Sequence, residues 1–310
     1  MAGVVEQRSG RLGSRRLAPA LRDRMAAYPY VLPAVLVVLL VMTYPFCYAI
    51  WLSFQSTPSY SIESQFTGLR NYITIFTDAL FGRTLLNTVI WTLASTAAGI
   101  FLGMVAALLV QQIRILRGPV RAVLMLPYIV GYVIASYAWL WLYQGEYGLI
   151  NVALTSWGIT SRPISFLSSL TWAFPAVILV NVWKTFPFAM IMLLAGLQGV
   201  PEQTVLAARL DRASYWSIFW EVKLPYLRRV LLVTVLLLSF QNFNTFTIPF
   251  IMTGGGPLNR TEIVSNLIYN TAFTNLNFGL AAAASTVVMA ILGAFAVFYV
   301  RSLAREQGGL

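Results

Sequence analysis

The sequence contains no histidine and a single cysteine, Cys47, among its 310 residues. Histidine is the most frequent general base and metal ligand in proteins, and the Ser-His arrangements of nucleophilic catalysis require it. One thiol inside an apolar run forms neither a disulfide framework nor a metal site. These absences exclude most enzyme classes, and we predict no catalytic residue and no metal site in this chain.

Charged residues are also scarce. They make up 10% of the chain, whereas a soluble domain carries about 25%. Hydrophobic residues make up 58%, and this balance predicts a membrane protein whose partner is the lipid bilayer. The formal net charge is +11, but the basic residues form short clusters between apolar runs and no aromatic-interleaved stripe. We therefore predict no nucleic-acid partner.

Six apolar stretches are each long enough to cross a hydrocarbon core, which takes about 20 helical residues. They lie at 29–53, 84–110, 119–143, 170–198, 229–252 and 279–300. The first stretch follows a long Arg-rich arm and is not followed by a small-residue cleavage site, unlike a signal peptide. The sequence thus predicts an all-α membrane protein, with a basic cytoplasmic arm at 1–27 and a domain of six transmembrane helices at 28–310.

The distribution of basic residues predicts the orientation of these spans. With both termini in the cytoplasm, sixteen basic side chains fall on the cytoplasmic side and four on the opposite side. The four are Arg70, Arg83, Arg162 and Arg260. An excess of arginine and lysine marks cytoplasmic loops, so we predict that both termini are cytoplasmic.

One predicted cytoplasmic segment, residues 199–228, differs from the other loops because it is rich in helix formers. A segment of about 30 residues is functional when it is not disordered. Pro201 suits a first helical turn, with Glu202 beside it at the positive end of the helix dipole. Asp211 is expected to cap a second helix that ends before Pro225.

Two short helices joined in this way would project from the membrane as a rigid unit. Ala207 and Ala208 are small enough for another protein surface to approach their backbone closely. The alternative is an amphipathic hairpin that rests Trp216, Phe219 and Trp220 on the lipid headgroups.

The segment resembles the EAA loop of importer permeases of the ATP-binding-cassette (ABC) superfamily. The family pattern is Glu-Ala-Ala, two residues, Asp-Gly, nine residues, then an aliphatic residue, any residue, Leu and Pro. The positions that match it, with the spacing intact, are Ala207, Ala208, Asp211, Val222, Leu224 and Pro225. Leu206 replaces the family's Glu, and Arg212 replaces a Gly that would suit a left-handed turn.

Weaker matches extend the resemblance over nearly the whole chain and point to the carbohydrate branch, similar to the maltose and glycerol 3-phosphate permeases. These stretches are Asn87-Thr88, Val182-Trp183-Lys184, Pro187-Phe188, Leu194 to Gln198, Thr253 to Pro257, Thr261-Glu262 and Ile268-Tyr269. The resemblance implies the type I importer permease fold with cytoplasmic coupling helices.

It also implies a division of labour in a bacterial plasma (inner) membrane. An extracytoplasmic binding protein delivers a sugar-like solute, and a second, related permease forms a heterodimer with this chain. Two ATPase subunits hold ATP and Mg and dock on the coupling segment, while this chain binds no cofactor. The residues expected to couple are Glu202, Leu206, Ala207, Ala208, Asp211, Arg212, Ala213, Leu224 and Pro225. The residues agree with this division: no lysine follows a glycine, so the Gly-Lys-Ser/Thr phosphate loop is absent.

Polar side chains within the fourth and fifth spans are candidates for the solute path, and they are Gln241, Asn242, Asn244, Trp183 and Lys184. Amides hydrogen-bond hydroxyls, and aromatic rings cover the apolar face of a sugar. The alternative is that amides join helices. Gln241 and Asn244 are three residues apart and share a face, whereas Asn242 points away. We expect the first pair to line the path and Asn242 to pack between helices.

Lys184 is the only charge deep in a predicted span. It could meet an anionic group of the solute or a carbonyl at a helix end.

Two other functions remain open at the level of sequence. One is a permease of the same superfamily for a polyol phosphate or another polar solute. The other is an ion-coupled secondary transporter, which normally carries Asp or Glu inside its spans. All ten acidic residues here lie outside the predicted spans, which argues against ion coupling.

Overall fold

The computed structural model describes residues 30–56, 65–113 and 115–307, the last six of these by their backbone alone. The described residues belong to two units, which divide between Leu52 and Ser53. The predicted basic arm at 1–27 lies outside the described residues.

The first unit contains the helix α1 (Tyr30–Leu52), which agrees with the apolar stretch predicted at 29–53. A π-helical turn at Leu39–Thr43 interrupts it just before Pro45. Proline lacks an N–H and crowds the preceding turn, and a π-helical turn is one way for a helix to continue past it.

The second unit begins with a two-residue antiparallel ribbon and is otherwise helical. In the ribbon, β1 (Gln55–Ser56) pairs with β2 (Gln65–Phe66). The helices before residue 199 are α2 (Arg70–Thr77), α3 (Ala79–Gln112), α4 (Arg117–Ile129), α5 (Tyr132–Leu142), α6 (Leu149–Ser156) and α7 (Ala173–Gln198). They are followed by α8 (Glu202–Leu210), α9 (Tyr215–Phe243), α10 (Thr247–Thr253), α11 (Val264–Tyr269) with a π-helical extension at Asn270–Thr274, and α12 (Phe278–Gln307).

The core of this unit lies where α3 packs along α7. A Cβ atom added to Gly103 would stand 2.5 Å from the Cβ of Ala189 and 2.8 Å from the backbone nitrogen of Met190. Small residues let membrane helices approach in this way, and dispersion contacts then hold them together. Around this crossing lie the buried side chains of Met190, Leu193 and Leu197.

Four helices are long and apolar enough to cross a membrane by themselves: α1, α3, α7 and the part of α12 up to Arg301. Two further pairs pass the same test together but are bent, α4 with α5 by 94° and α9 with α10 by 41°. By length and composition the described residues therefore hold four to six spans. The predicted stretches at 84–110, 170–198 and 279–300 fall on α3, α7 and α12.

The expectation of one uninterrupted helix over 119–143 is wrong. The chain becomes extended at Val130 (ψ 131°) and Gly131 (ψ 146°), which separates α4 from α5. Pro127 lies one turn before the break. A proline frees a carbonyl and weakens a helix, and glycine disfavours its continuation, so the local sequence accounts for the position of the break.

The predicted helix at 229–252 is also different in the structure, since it starts at Tyr215 and bends between Phe243 and Thr247. Pro249 cannot donate a hydrogen bond to the carbonyl of Thr245 four residues earlier. The Ser265 hydroxyl donates to that carbonyl instead, at 2.8 Å. A side chain of α11 thus completes the bend.

The α3–α7 crossing gives a direct test of the fold. Gly103→Val should force the two helices apart, because its Cβ meets backbone atoms, and overpacking of this kind costs about 1–3 kcal/mol. Thermal unfolding in detergent should show a lower midpoint. Gly82→Val in the same helix is the matched control, because a Cβ at Gly82 meets nothing within 4 Å. Equal midpoints for the two variants would contradict the crossing.

Candidate functional site

The predicted coupling segment, residues 199–228, contains α8, a tight turn and the start of α9. Pro201 is the N-cap of α8 (ψ 125°) and not part of its first turn, and acidic Glu202 is the first helical residue. No residue of α8 is buried. Leu206 is 47% exposed and Leu210 is 85% exposed. Exposed apolar side chains on a free helix are typical of a surface that contacts another protein or lipid.

The turn after α8 explains how Arg212 fits where a Gly was expected. The Arg212 N–H donates to the Arg209 carbonyl at 3.1 Å, and the Ala213 N–H donates to the Ala208 carbonyl at 3.0 Å. This pair of hydrogen bonds is the Schellman motif, in which the first residue after the C-cap adopts a left-handed conformation. Arg212 adopts that conformation with φ of 57°. The turn geometry is therefore retained with a non-Gly residue, at a cost of about 1 kcal/mol.

Two expectations for this segment are wrong. Asp211 is the C-cap of α8, and Ser214 is the N-cap of the next helix, with its hydroxyl accepting from the Ser217 N–H at 3.1 Å. That helix does not end before Pro225. A π-helical turn at Ile218–Lys223 precedes the proline, and the helix continues to Phe243. The start of the coupling segment's second helix and the fifth apolar stretch are thus one continuous element.

Side chains from the end of α3 hold this element. The Gln112 amide donates to the Tyr215 hydroxyl at 3.3 Å, and the Lys223 ammonium donates to the Gln111 amide oxygen at 3.2 Å. Lys223 also lies over the Tyr215 ring, 5.7 Å from its centroid. Trp216 and Trp220 remain 67% and 59% exposed.

A cavity of about 490 Å³ opens where α5 faces the bend between α9 and α10. It is lined by amide, hydroxyl and aromatic groups, from Tyr132, Phe240, Gln241, Asn244, Thr245, Phe246 and Thr247. We call it the amide cavity. The Gln241 amide donates to the Tyr132 hydroxyl at 2.9 Å, and the Asn244 amide donates to the carbonyl of Phe240 at 2.9 Å. Within the described residues, neither amide oxygen accepts a hydrogen bond, so both have acceptor capacity for a hydroxyl.

Asn242 lies away from this cavity. It is fully buried, and its side chain accepts from the Asn181 amide at 2.9 Å and donates to the Thr96 hydroxyl at 3.0 Å. These bonds join α9 to α7 and α3. Gln241 and Asn244 thus line one cavity and Asn242 lies between helices, which is the arrangement that the helical spacing predicted.

Lys184 also lies outside the lining of the amide cavity. Its ammonium donates to the carbonyl of Tyr128 at 2.8 Å and stands 4.7 Å from the centroid of the Tyr132 ring. Tyr128 is in the last turn of α4, where carbonyls lack helical partners and the dipole favours a cation. Of the two roles considered for Lys184, the structure therefore shows the helix-end carbonyl. Trp183 makes an edge contact with Trp139 at 5.5 Å and likewise does not line the cavity.

Tyr132 was missed from the sequence, although it contributes both its ring and its hydroxyl. It reaches the cavity because it is the first residue of α5, directly after the break. An unbroken helix over 119–143 gives no reason to single it out. Pro127 followed by Gly131 was the signal in the sequence that could have predicted the break, and with it the position of Tyr132.

Several stretches that carried the family resemblance meet in one loop between α10 and α11. The Asn87 amide donates to the carbonyls of Asn259 (3.2 Å) and Glu262 (2.9 Å). The Thr88 hydroxyl accepts from the Val264 N–H at 2.9 Å. Glu262 is 5% exposed and accepts from Asn270 at 3.2 Å. Burial raises the pKa of the Glu262 carboxyl, an effect that the Asn270 bond only partly offsets. The loop is thus fixed to α3.

Within residues 30–56, 65–113 and 115–307, no three histidine, cysteine or acidic side chains come together as a metal site would require.

The second unit is thus an apolar helical bundle with an exposed segment at α8 and a polar cavity where its helices break. Residues 99–307 match the family of binding-protein-dependent transport system inner membrane components. Because the match covers more than half of the sequence, the chain belongs to this family. The membrane location predicted from composition is thereby confirmed.

Individual relatives agree with the family. The chain is 32% identical over 281 residues to the trehalose/maltose transport system permease protein MalF of Thermococcus litoralis, covering 90% of this chain and 94% of that protein. It is 33% identical over 304 residues to the trehalose transport system permease protein SugA of Mycobacterium tuberculosis, covering 96% and 94%. The predicted resemblance to carbohydrate importer permeases is confirmed, and so is the prediction of a transport subunit that is not an enzyme.

The fold also matches a solved structure. A chain of a bacterial ABC transporter involved in the import of the acidic polysaccharide alginate aligns with a TM-score of 0.79, over 94% of this chain and 99% of that chain. The sequence identity is 21%, so this likeness supports the fold alone.

The two asparagines of α9 separate a solute role from a packing role. Asn242→Ala removes two interhelical hydrogen bonds and should lower the free energy of unfolding by about 1 kcal/mol, given about 0.6 kcal/mol for each such bond. Asn244→Ala should leave stability unchanged, because Asn244 is exposed and bonds only its own helix, and should reduce transport. Thermal unfolding beside solute uptake measures both. Loss of uptake in a stable Asn242→Ala complex, with normal uptake for Asn244→Ala, would reverse the assignment.

Proposed function

We propose that this chain is the membrane-spanning subunit of an importer for a neutral sugar. The observation that carries the proposal is the amide cavity, because its amides, hydroxyls and rings suit a polyhydroxyl ring and it has no charged side chain in its lining. The relatives named for trehalose and maltose support the same solute class.

The position of Lys184 favours a neutral solute over a polyol phosphate. Lys184 is 3% exposed, its ammonium is bonded to the Tyr128 carbonyl, and it does not line the amide cavity, so a phosphate there would have no cation in the lining to meet. An anionic solute normally needs such a partner.

We propose that each bent pair of helices forms one span, which gives six with both termini in the cytoplasm. The excess of basic residues in the resulting cytoplasmic segments supports this orientation. The coupling segment then faces the cytoplasm, where it docks on one of two ATPase subunits that hold ATP and Mg. A second, related permease completes the pathway, and an extracytoplasmic binding protein delivers the solute.

The proposal is tested by reconstitution in two steps. Thermal shift of the binding protein with a panel of disaccharides and polyol phosphates identifies the solute. Uptake of that solute, in labelled form, is then measured in proteoliposomes that contain the whole complex. We expect ATP-dependent uptake of a neutral sugar and no ATP hydrolysis by this chain alone. Selective uptake of a phosphorylated solute, or uptake driven by an ion gradient without ATP, would overturn the proposal.

The docking role predicts a specific effect at Ala207, which is exposed on α8. Ala207→Trp should prevent close approach of the ATPase, so uptake and co-purification of the ATPase should both fall at least tenfold. The spans should stay folded, since no residue of α8 is buried.

Two controls make this result specific. Ala207→Ser keeps the small size and should behave as the parent protein. Gly118→Trp places the same indole at another exposed cytoplasmic position with nothing within 4 Å of its Cβ. It should retain ATPase binding. Normal co-purification with Ala207→Trp would instead favour the alternative in which the segment rests on lipid.

A further inference from the structure

Five aromatic rings form a continuous row that leaves the amide cavity through α10 and α11. Phe246, which lines the cavity, lies 5.0 Å from Tyr269 between ring centroids, and Phe250 lies 4.9 Å from the same ring. The Tyr269 ring lies 5.0 Å from that of Phe273, and the Phe273 ring lies 6.0 Å from that of Phe278. We call these five residues the aromatic track. The spacings are those of rings in direct contact.

The three outer rings of the track are more exposed than the two rings nearest the cavity. Phe246 and Phe250 are half-buried, Tyr269 is 37% exposed, and Phe273 is 61% exposed. Phe278 begins α12 and is 41% exposed. In the proposed topology this end lies on the extracytoplasmic side, where the binding protein releases the solute. The track therefore connects the cavity with the side from which the solute comes.

Residues of the types that hydrogen-bond sugar hydroxyls lie between the rings in the sequence, although Asn270 and Asn277 also make bonds within the protein. From Tyr269 to Phe278 the sequence places three asparagines and two threonines among the aromatics, and residues 263–300 contain no charged side chain. The exposed positions Phe295, Val297 and Phe298 in α12 differ, since the stretch 292–300 contains no polar side chain except Tyr299. A purely apolar composition of this kind is typical of a lipid-facing surface. A segment in which amides alternate with aromatic rings is not typical of such a surface.

We propose that the aromatic track is an entry path, on which the apolar faces of pyranose rings stack as the solute moves from the extracytoplasmic surface to the amide cavity. The inference rests on the proposed sugar-import function and adds a binding site outside the cavity. Stacked rings tolerate different sugars, because they contact the C–H face and do not depend on one arrangement of hydroxyls. Specificity then belongs to the cavity and to the binding protein.

The first test detects a sugar on the track without requiring transport. The only cysteine is first removed by Cys47→Ser. Thr274→Cys then introduces a single thiol beside Phe273 at an exposed position. Labelling by a membrane-impermeant maleimide is measured in proteoliposomes containing the whole complex. Methyl β-D-glucopyranoside should slow labelling by about twofold at a concentration equal to its Kd. D-glucitol, an acyclic polyol without a ring face, should not.

Matched variants show whether the ring is responsible. Phe273→Leu in the same background should abolish protection, because it keeps an apolar side chain but removes the ring, and Phe273→Tyr should retain it. In the uptake assay, Phe273→Leu should lower the rate about fivefold at subsaturating solute, the size expected for one aromatic stacking contact. Phe298→Leu, 74% exposed on the apolar part of α12, should not affect uptake.

Each other outcome overturns the entry path. Equal protection by glucitol, or protection that survives Phe273→Leu, would show that ring stacking is not the cause. A thiol that cannot be labelled even without sugar would show that the second permease covers the track. Labelling that sugar does not slow would leave the rings facing lipid. If sugar uptake is normal in Phe273→Leu, the track fails while the import function stands; if no panel sugar is imported, the import function itself fails.

Discussion

A bilayer interior offers no water to a backbone carbonyl, so each break in a spanning helix must be completed by a donor from the protein. Three donors do this here. The Lys184 ammonium bonds the Tyr128 carbonyl at the end of α4, and the Ser265 hydroxyl bonds the Thr245 carbonyl that Pro249 leaves unpaired. The Trp91 indole donates to the Asn242 carbonyl in the last turn of α9, at 3.1 Å. The positions of these donors determine where helices can bend, and the amide cavity forms at the bends.

The same constraint separates residues that hold the protein together from residues that line the amide cavity. A polar side chain in a span either completes the protein's own hydrogen bonds or lines a polar space. Asn242 and Lys184 belong to the first kind, because their bonds are made within the bundle. Gln241 and Asn244 belong to the second, since each keeps an amide oxygen for another partner. The neutral lining of the cavity agrees with this division, because the Lys184 ammonium stabilises a helix end and does not line the cavity.

The sequence predicted the features that depend on local composition and period. Hydropathy located the apolar helices, and the 3.6-residue repeat separated Asn242 from Asn244. Prediction from the sequence failed where the local structure depends on a residue far away in the chain. The break at Val130 is stabilised by Lys184, which lies more than fifty residues later. The apolar stretch at 119–143 taken alone therefore predicts one continuous helix. Asp211 and Ser214 are both suitable N-cap residues. Because the left-handed Arg212 ends α8 in a Schellman motif, the N-cap of the next helix is Ser214.

The continuity of α9 through Pro225 has a mechanical consequence. One helix carries the coupling segment at its first end and Gln241 at its other end, a length of roughly 40 Å at 1.5 Å per residue. Such a helix acts as a lever. If the proposed ATPase partner tilts the Tyr215 end by about 5°, the far end moves by about 3 Å, because the displacement scales with the length of the helix. That distance is enough to break the Gln241–Tyr132 hydrogen bond, so under the proposed function a small rotation at the ATPase would open or close the amide cavity.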